Sequence, residues 1–234
     1  MKVILWKLET KFFHFKNSNN QFKTLNNIIP SKLNAEVQDR AHDIARRFLN
    51  KVGFDHGLFN MEFFHDEATD KITVIEFNPR MASQFSDLYL RVNGIDLHEI
   101  AFALAHGLDP ATLKRAVPTA GAAASFVYRV FDMESTVHFP SLLQKAGFWK
   151  NFPDALLFEY PKDHKQLQRD FKWLRSYRYG IMHLGGENYR DLRQRCEQAS
   201  AMLGWPAPYL EDTRELQPDL NSAPAELFAG KQVS

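Results

Sequence analysis

The sequence predicts an α+β fold: an antiparallel sheet with packed helices over residues 31–117, followed by a small α+β subdomain over residues 118–204. Three observations predict it. Apolar residues recur at helical spacing after Asn34, two β-rich runs flank the polar residues 66–70, and a second series of strand and helix patterns begins at Ala120. With 234 residues, 44% of them hydrophobic, the chain can bury a sizeable core.

Residues 1–30 show only partial patterns, whereas the segment that begins at Asn34 has a clear helical pattern. Residues 1–30 contain apolar and aromatic clusters that predict partial strands, among them Val3-Ile4-Leu5-Trp6, and the amide-rich stretch Asn17 to Asn27 predicts a loop. A helix is predicted from Asn34 to Gly53, because Gly53 stands where a C-cap glycine belongs. The apolar residues at helical spacing within it are Val37, Ala41, Ile44, Ala45, Phe48, Leu49 and Val52.

A β-hairpin and a second helix complete the first unit. The hairpin joins the β-rich runs Leu58 to His65 and Lys71 to Asn78 through a short polar loop. Asp96 is followed three residues later by Glu99, which resembles a capping box and predicts a helix that ends at Gly107.

The second unit is predicted to contain three strands and a final helix. Ala120 to Phe131, Leu156 to Tyr160 and Tyr177 to Leu184 have the composition of strands. Asn188 can cap a helix whose apolar face carries Leu192, Cys196, Ala199 and Leu203. Residues 205–234 are rich in proline and polar residues, and predict a flexible tail.

Composition and net charge exclude several classes of function, and any function that depends on charge must come from a local group of residues. The formal net charge of +1 gives no global field that favours nucleic acid or an anionic membrane as a partner. The single cysteine, Cys196, excludes a disulfide framework and a cysteine-built zinc site, so we expect a reducing, cytoplasmic location. The apolar patch in Met1 to Leu8 is too short for a signal sequence or a membrane span.

The hairpin carries two opposed carboxylates. Side chains alternate along a strand, so Ile72, Val74, Glu76 and Asn78 are expected to share one face. If the hairpin is symmetric about residue 69, Glu62 lies opposite Glu76 with their β-carbons roughly 5 Å apart. Such a pair requires a shared proton or a cation, and Mg²⁺ prefers carboxylate and amide oxygens. The residues therefore predict a magnesium site.

The residues that follow the hairpin extend this prediction to phosphate. Arg80, two residues beyond Asn78, can return toward the same edge and bind phosphate or carboxylate oxygens in bidentate fashion. Ser83, Gln84 and Ser86 come next and are candidates for substrate contact. The competing interpretation places both glutamates on a solvated face with Arg80 paired to one of them. An acidic residue within an apolar β run, followed by Asn and Pro, argues against it.

Three blocks of sequence resemble the C-terminal half of the ATP-grasp fold: Asn60-Met61-Glu62, the run Val74 to Arg80, and Asn93-Gly94-Ile95-Asp96-Leu97. The stretch Arg178 to His183, followed by Gly185-Gly186, is similar to the small C-terminal subdomain of carboxylase-like and amino-acid ligase members. The resemblance covers roughly residues 33–204. It implies that Glu62, Glu76 and Asn78 bind Mg²⁺ (or Mn²⁺) on ATP, and that Arg80 is the catalytic contact to the transferred or acyl phosphate.

The function that the resemblance implies is that of a carboxylate-amine or carboxylate-thiol ligase acting through an acyl phosphate, with ATP and a small carboxylate as its ligands. No glycine precedes Gly53, so the glycine-rich phosphate loop and the lysine of the family's other half are not identifiable, and the site is expected to be incomplete in this chain. One alternative is a noncatalytic fragment or a subunit completed by a separate chain, or a homodimer. Another is a metal-dependent hydrolase on an unrelated fold, which leaves Asn78-Pro79-Arg80 unexplained.

The remaining chemistry-bearing residues give weaker predictions. The nine histidines form no metal-type spacing. His183 ends a predicted strand, where it either faces a ligand or is a satisfied strand-end histidine. Cys196 on the apolar face of the last helix is interpreted as a small buried thiol.

Overall fold

The computed structural model of this protein describes residues 10–15 and 22–208. The strands are β1 Thr10–Phe15, β2 Phe22–Ile29, β3 Asn60–Asp66, β4 Lys71–Asn78, β5 Ala122–Val130, β6 Leu156–Glu159 and β7 Tyr177–Gly186. The helices are α1 Ala35–Val52, α2 Ser86–Asn93, α3 Leu97–Ala105, α4 Leu142–Asn151, α5 His164–Leu174 and α6 Tyr189–Leu203. Short 3₁₀ turns lie at Ser83–Phe85 and Pro110–Thr112.

The strands form two antiparallel sheets, and this confirms the predicted α+β fold class. The larger sheet has five strands in the order β1-β2-β5-β7-β6, and the smaller is the β3–β4 hairpin. Strand β2 pairs with β5, with Asn27 opposite Ser125. Residues on both sides of the predicted boundaries at 31 and 118 therefore share one sheet, while the hairpin between them forms its own sheet.

The loop predicted from Asn17 to Asn27 is wrong from Phe22 onward, because β2 begins there. Asparagine is a poor strand former, but the backbone pairing of β2 with β5 outweighs that local preference. Asn27 is only 2% exposed, which no local pattern indicates. The cluster Val3 to Trp6 lies outside the described residues.

The three helices that the sequence predicts, α1, α3 and α6, begin at the residues predicted to cap them. The Asn34 side chain accepts a hydrogen bond from the Val37 amide at 2.8 Å at the start of α1, and Gly53 ends α1 with φ +69°. Asp96 caps α3 and Asn188 caps α6 in the same way. Helices α2, α4 and α5 were not predicted. The capping boxes Ser141/Gln144 and Asp163/Gln166 are the signals that mark α4 and α5.

The five-stranded sheet separates two hydrophobic clusters. One face packs Tyr128 and Met182 against Cys196 of α6 and Phe148 of α4. The other face packs against α2, and its buried residues include Ile29, Leu88, Tyr89, Val92 and Ala123. Trp205, which the sequence analysis assigns to the tail, is 5% exposed with its ring centroid 4.7 Å from that of Tyr128. Within the described part of the chain, none of the helices combines the length and apolar character that a membrane crossing requires.

Cys196 is expected to resist thiol reagents in the native protein. It is fully buried, and burial raises the pKa of its thiol to about 12. An unfolded cysteine ionises near pH ~8.5, so this group contributes stability below that pH and the contribution is lost as pH rises toward the folded pKa. Labelling with a chromogenic disulfide at pH 8 should be slow in buffer and fast in concentrated urea. Equal rates in both conditions would show that the thiol is accessible.

Candidate functional site

The hairpin places the predicted carboxylates opposite one another. Glu62 on β3 pairs with Glu76 on β4, and Asn60 pairs with Asn78 at the open end of the hairpin. This is the register that symmetry about residue 69 predicts. Directly opposed like charges are destabilising on a sheet unless a proton or cation lies between them. The pairing therefore creates a position that favours a cation.

A β-bulge changes which face the site uses. Phe63 pairs with Val74, so Ile75 is the extra residue on β4 between that pair and the Glu62–Glu76 pair. Exposure follows this shift: Ile72, Val74 and Phe77 are half-buried, while Ile75 is 47% exposed and Glu76 is also exposed. The prediction that Ile72, Val74, Glu76 and Asn78 share one face is therefore wrong, because the extra residue shifts the alternation by one position.

Helix α1 packs on the hairpin face opposite the carboxylates. The rings of Phe48 on α1 and Phe77 on β4 stack with centroids 3.9 Å apart. At the loop end, Arg40 donates two hydrogen bonds to Asp70, at 2.8 and 2.6 Å, and His65 Nε2 lies 2.8 Å from Asp70 Oδ1. These contacts, Arg40 first, lower the pKa of Asp70 to about 2. Helix α1 thus contacts the hairpin near both ends.

The asparagine side chains orient the open end of the hairpin. Asn78 Nδ2 donates to Glu76 Oε1 at 2.7 Å and to Asn60 Oδ1 at 3.2 Å. Both donor positions are used, so the Asn78 amide oxygen is left as an acceptor beside Glu76. Asn60 Nδ2 in turn donates to the backbone oxygen of Arg80 at 3.3 Å. Asn60 has no role predicted from the sequence, although it belongs to one of the three blocks that resemble the ATP-grasp fold.

Arg80 is exposed and its backbone is fixed. Its amide donates to the Asn78 carbonyl at 2.8 Å, which holds the turn after β4. The guanidinium makes one long hydrogen bond, from Nη1 to the Met81 carbonyl at 3.5 Å. Among the residues that the structure describes, it has no carboxylate partner. The competing interpretation, in which Arg80 neutralises one of the glutamates, is not what this geometry shows.

The donor set at the hairpin is small. Across residues 10–15 and 22–208, no group of three His, Cys, Asp or Glu side chains is placed to hold a metal. Glu62, Glu76 and the oxygen of Asn78 give two carboxylates and one amide. Mg²⁺ accepts such a set, because it retains waters and takes further oxygens from substrate phosphates. These residues fit a magnesium–phosphate site better than a site that binds a bare metal tightly.

A cleft of about 490 Å³ lies beside the segment that follows Arg80. Its lining residues are Ser83, Gln84, Ser86, Asp87, Leu90, Asp96, His98, Leu156, Phe158, Tyr160, Arg178, Ile181 and His183. The three residues that the sequence analysis placed after Arg80 as substrate contacts are among them. Gln84 Nε2 donates to Ser125 Oγ of β5 at 3.1 Å, which fixes this segment to the sheet.

His183 is one of the residues that line the cleft. It stands within β7, 3% exposed, opposite Ser125 on one side and Leu156 on the other. Its Nδ1 lies 3.4 Å from Asp87 Oδ2. Strand β7 continues to Gly186, so His183 does not end the strand as predicted. The sequence did not identify Asp87 at all, because the α2 helix that carries it was not predicted.

Comparison with known proteins gives sequence relatives that match only part of the chain. The chain is 32% identical over 129 residues to the carbamoyl phosphate synthase large chain of Pseudothermotoga lettingae, covering 51% of this chain and 11% of that protein. It is 34% identical over 94 residues to the same protein from Xylella fastidiosa, covering 40% and 9%. No protein-family model matches the chain.

Solved structures match most of the chain. N5-carboxyaminoimidazole ribonucleotide synthetase from Thermus thermophilus matches with a TM-score of 0.58 and 15% identity, over 89% of this chain and 49% of that one. The phosphoribosylaminoimidazole carboxylase ATPase subunit from Aquifex aeolicus matches with a TM-score of 0.52 and 15% identity, over 85% and 50%. An ADP complex of N5-carboxyaminoimidazole ribonucleotide synthetase matches with a TM-score of 0.52 and 11% identity, over 83% and 44%. This chain thus spans about half the length of these structures and about a tenth of the sequence relatives.

Proposed function

We propose, on the premise that this chain has an ATP-grasp-type fold, that its acidic hairpin binds Mg²⁺ (or Mn²⁺) together with the phosphates of ATP. The reaction served is that of a carboxylate-amine or carboxylate-thiol ligase. A small carboxylate attacks the terminal phosphorus of ATP, ADP leaves, and an amine or thiol then displaces phosphate from the acyl phosphate.

One observation carries this proposal: Glu62 and Glu76 are directly opposed, and the Asn78 amide nitrogen donates to Glu76 and Asn60, which leaves the amide oxygen as an acceptor. Two carboxylates that are directly opposed across a sheet repel one another, and a divalent cation bound by both removes that repulsion. When bound, the divalent ion neutralises phosphate charge and serves as a template for the phosphates. The similar proteins give support, since they include synthetases and structures solved with ADP.

Each side chain has a distinct task under this proposal. Glu62 and Glu76 hold the cation from the two strands, and Asn78 adds a neutral oxygen that does not increase their mutual repulsion. Arg80, which no carboxylate neutralises among the described residues, offers a bidentate donor to the oxygens of the phosphoryl group. Asn60 is a positioning residue, because it contacts both the Asn78 side chain and the Arg80 backbone.

A second candidate keeps the same metal site but requires a separate chain, or a second copy of this one, to complete the nucleotide site. This chain spans about half the length of the similar solved structures. The remaining alternative, a hydrolase on an unrelated fold, does not agree with an ATP-grasp-type fold.

Two measurements on the same protein test the proposal and separate these candidates. Isothermal titration calorimetry with ATP is expected to show binding in Mg²⁺ and none in EDTA. Titration with Mn²⁺ is expected to broaden the amide NMR signals of Glu62, Glu76 and Asn78 by paramagnetic relaxation. Broadening without ATP binding would favour the candidate that needs a further chain. Absence of both effects would overturn both candidates.

A further inference from the structure

A groove of about 680 Å³ lies between α5 and the segment that follows β5. Its volume is in the range of pockets that bind small molecules. None of its lining residues belongs to the acidic hairpin or lines the cleft beside α2. The lining from α5 and its C-cap residue lies at positions i, i+3, i+4 and i+7, which share one face of a helix: Gln168, Phe171, Lys172 and Arg175. The other side of the groove is lined by Phe131, Asp132 and Met133.

The apolar part of the groove is partly open to water. Met133 is 52% exposed, and Phe131 and Phe171 are half-buried. Single exposed apolar side chains are common on protein surfaces, but these three side chains line the same groove. A flat apolar group resting on them would remove their surface from water, which is favourable. The groove therefore favours a ligand with an apolar body.

Two cations line the groove beside this apolar surface. Lys172 and Arg175 are both exposed, and within residues 10–15 and 22–208 neither is paired with a carboxylate. The Lys172 ammonium lies 4.9 Å from the centroid of the Trp173 ring, which is a cation–π contact. Both side chains therefore retain hydrogen-bond donors for an anionic group.

Arg175 occupies a backbone position that favours glycine. It ends α5 with φ +54°, in the left-handed region. Helices α1, α2 and α6 also end on a residue in that region, and in each of them the residue is glycine. An arginine carries the steric cost of its β-carbon there, which glycine avoids. The helix dipole favours a cation at this end, but Lys172 already supplies one in the last turn. A use for the guanidinium in the groove would account for arginine at this position.

The charges of the lining favour an anion with a single negative charge. Asp132 lines the groove together with the two cations, and its carboxylate accepts hydrogen bonds from the Glu134 amide at 3.0 Å and the Ser135 hydroxyl at 3.1 Å. The lining therefore carries two positive charges and one negative charge. A carboxylate balances the remaining charge, whereas a doubly charged phosphate would be repelled more strongly by Asp132. The guanidinium of Arg175 also matches the two oxygens of a carboxylate in bidentate fashion.

We propose that this groove binds an organic carboxylate with a flat apolar body. The carboxylate contacts Arg175 and Lys172, and the apolar body lies on Phe131, Met133 and Phe171. This inference goes beyond the proposed ligase function and does not depend on it, because no residue of the acidic hairpin takes part.

NMR of the full chain with ¹³C-labelled methionine methyl groups, in EDTA and without ATP, tests the site with three probes. 2-Naphthoate carries the flat body and the charge, 2-naphthamide is its neutral counterpart, and acetate carries the charge alone. 2-Naphthoate is expected to shift the Met133 methyl signal, which is assigned by its loss in Met133→Leu. It should bind at least about tenfold more tightly than 2-naphthamide, because the neutral probe loses the charge-assisted contact. Acetate should not shift the signal, and the signals of Met61 and Met81 should not move with any probe.

Arg175→Gly separates a binding role of the arginine from a structural one. It removes the guanidinium and introduces the residue that best accepts φ +54°. The variant should lose the preference for 2-naphthoate over 2-naphthamide, and its thermal unfolding midpoint should be unchanged or higher. Lys172→Gln should reduce the same preference. Arg169→Gln is the matched control, because Arg169 is exposed on the same helix but does not line the groove, and it should change neither quantity.

Three results would overturn this inference. They are the absence of a Met133 shift with 2-naphthoate, equal affinities for 2-naphthoate and 2-naphthamide, and a preference that Arg175→Gly and Arg169→Gln change to the same extent. A preference that survives in Arg175→Gly while the unfolding midpoint falls would assign the arginine a structural role and would likewise overturn it. The expected pattern supports the carboxylate site whether or not the chain binds ATP with Mg²⁺.

Discussion

Replacing Glu76 by glutamine is expected to abolish Mg²⁺-dependent ATP binding without destabilising the metal-free protein. The variant keeps the shape of the side chain and removes one of the two carboxylates at the site. We expect a loss in apparent ATP affinity of more than about 100-fold, because even outer partners of metal ligands contribute about 10–100-fold. Removing one of two opposed like charges should leave the free energy of unfolding in EDTA unchanged or raise it by about 0.5 kcal/mol.

The opposite signs of these two effects make the experiment informative. Calorimetry with Mg²⁺ and ATP measures the first effect, and urea unfolding in EDTA measures the second. Glu67→Gln is the matched control, because Glu67 is an exposed glutamate in the loop of the same hairpin. It should change neither quantity. If Glu76→Gln lowers stability and affinity together, the carboxylate has a structural role and the metal assignment fails.

Gly94→Ala is expected to destabilise the protein by more than about 3 kcal/mol, because it combines backbone strain with a steric clash. Gly94 ends α2 with φ +66°, a backbone conformation that costs an L-residue about 1–2 kcal/mol. A β-carbon there would also lie 1.9 Å from the Ala116 carbonyl oxygen. The Ala116 amide donates to the Gly94 carbonyl at 2.8 Å, so the two chain segments cannot separate without losing that hydrogen bond.

Gly107→Ala is the control that isolates the steric part. Gly107 has nearly the same φ, +69°, but a β-carbon there would meet nothing within 4 Å. Its cost should therefore be only the backbone strain, about 1–2 kcal/mol. The difference between the two variants in urea-derived free energy of unfolding measures the close approach of Ala116. Equal costs would mean that the contact yields easily and would contradict the prediction.

The acidic hairpin could be predicted from the sequence because it depends only on residues that are close together along the chain. Strands β3 and β4 are joined by a short loop, so the positions of the β-rich runs predict that Glu62 faces Glu76. The β-bulge could not be predicted, because Ile75 continues the apolar run Val74-Ile75 without any sign of an extra residue. The packing of Phe77 on Phe48 accompanies the resulting change of face. The bulge moved Ile72 and Val74 away from the face that Glu76 and Asn78 share.

Most of the cleft could not be predicted from the sequence, because its lining residues come from separate parts of the chain. Asp87 lies on a helix of eight residues, too short to show a clear apolar period. His183 and Arg178 stand on a strand whose neighbours, β5 and β6, come from other parts of the chain. The residues adjacent to Asp87, Arg178 and His183 in the sequence do not indicate that these three side chains line the same cleft.

By itself, the sequence determined the α+β class, the capped helices α1, α3 and α6, and the acidic hairpin with Arg80 after it. Each of these depends on residues within one helix, one hairpin or one turn, where periodicity and capping act over a few positions. Only the tertiary structure decided that β2 pairs with β5, that Trp205 is buried, and that Asp87 and Arg178 line one cleft. Those arrangements join residues that are distant along the chain. They are selected by the burial of whole sheet faces, which no local sequence preference predicts.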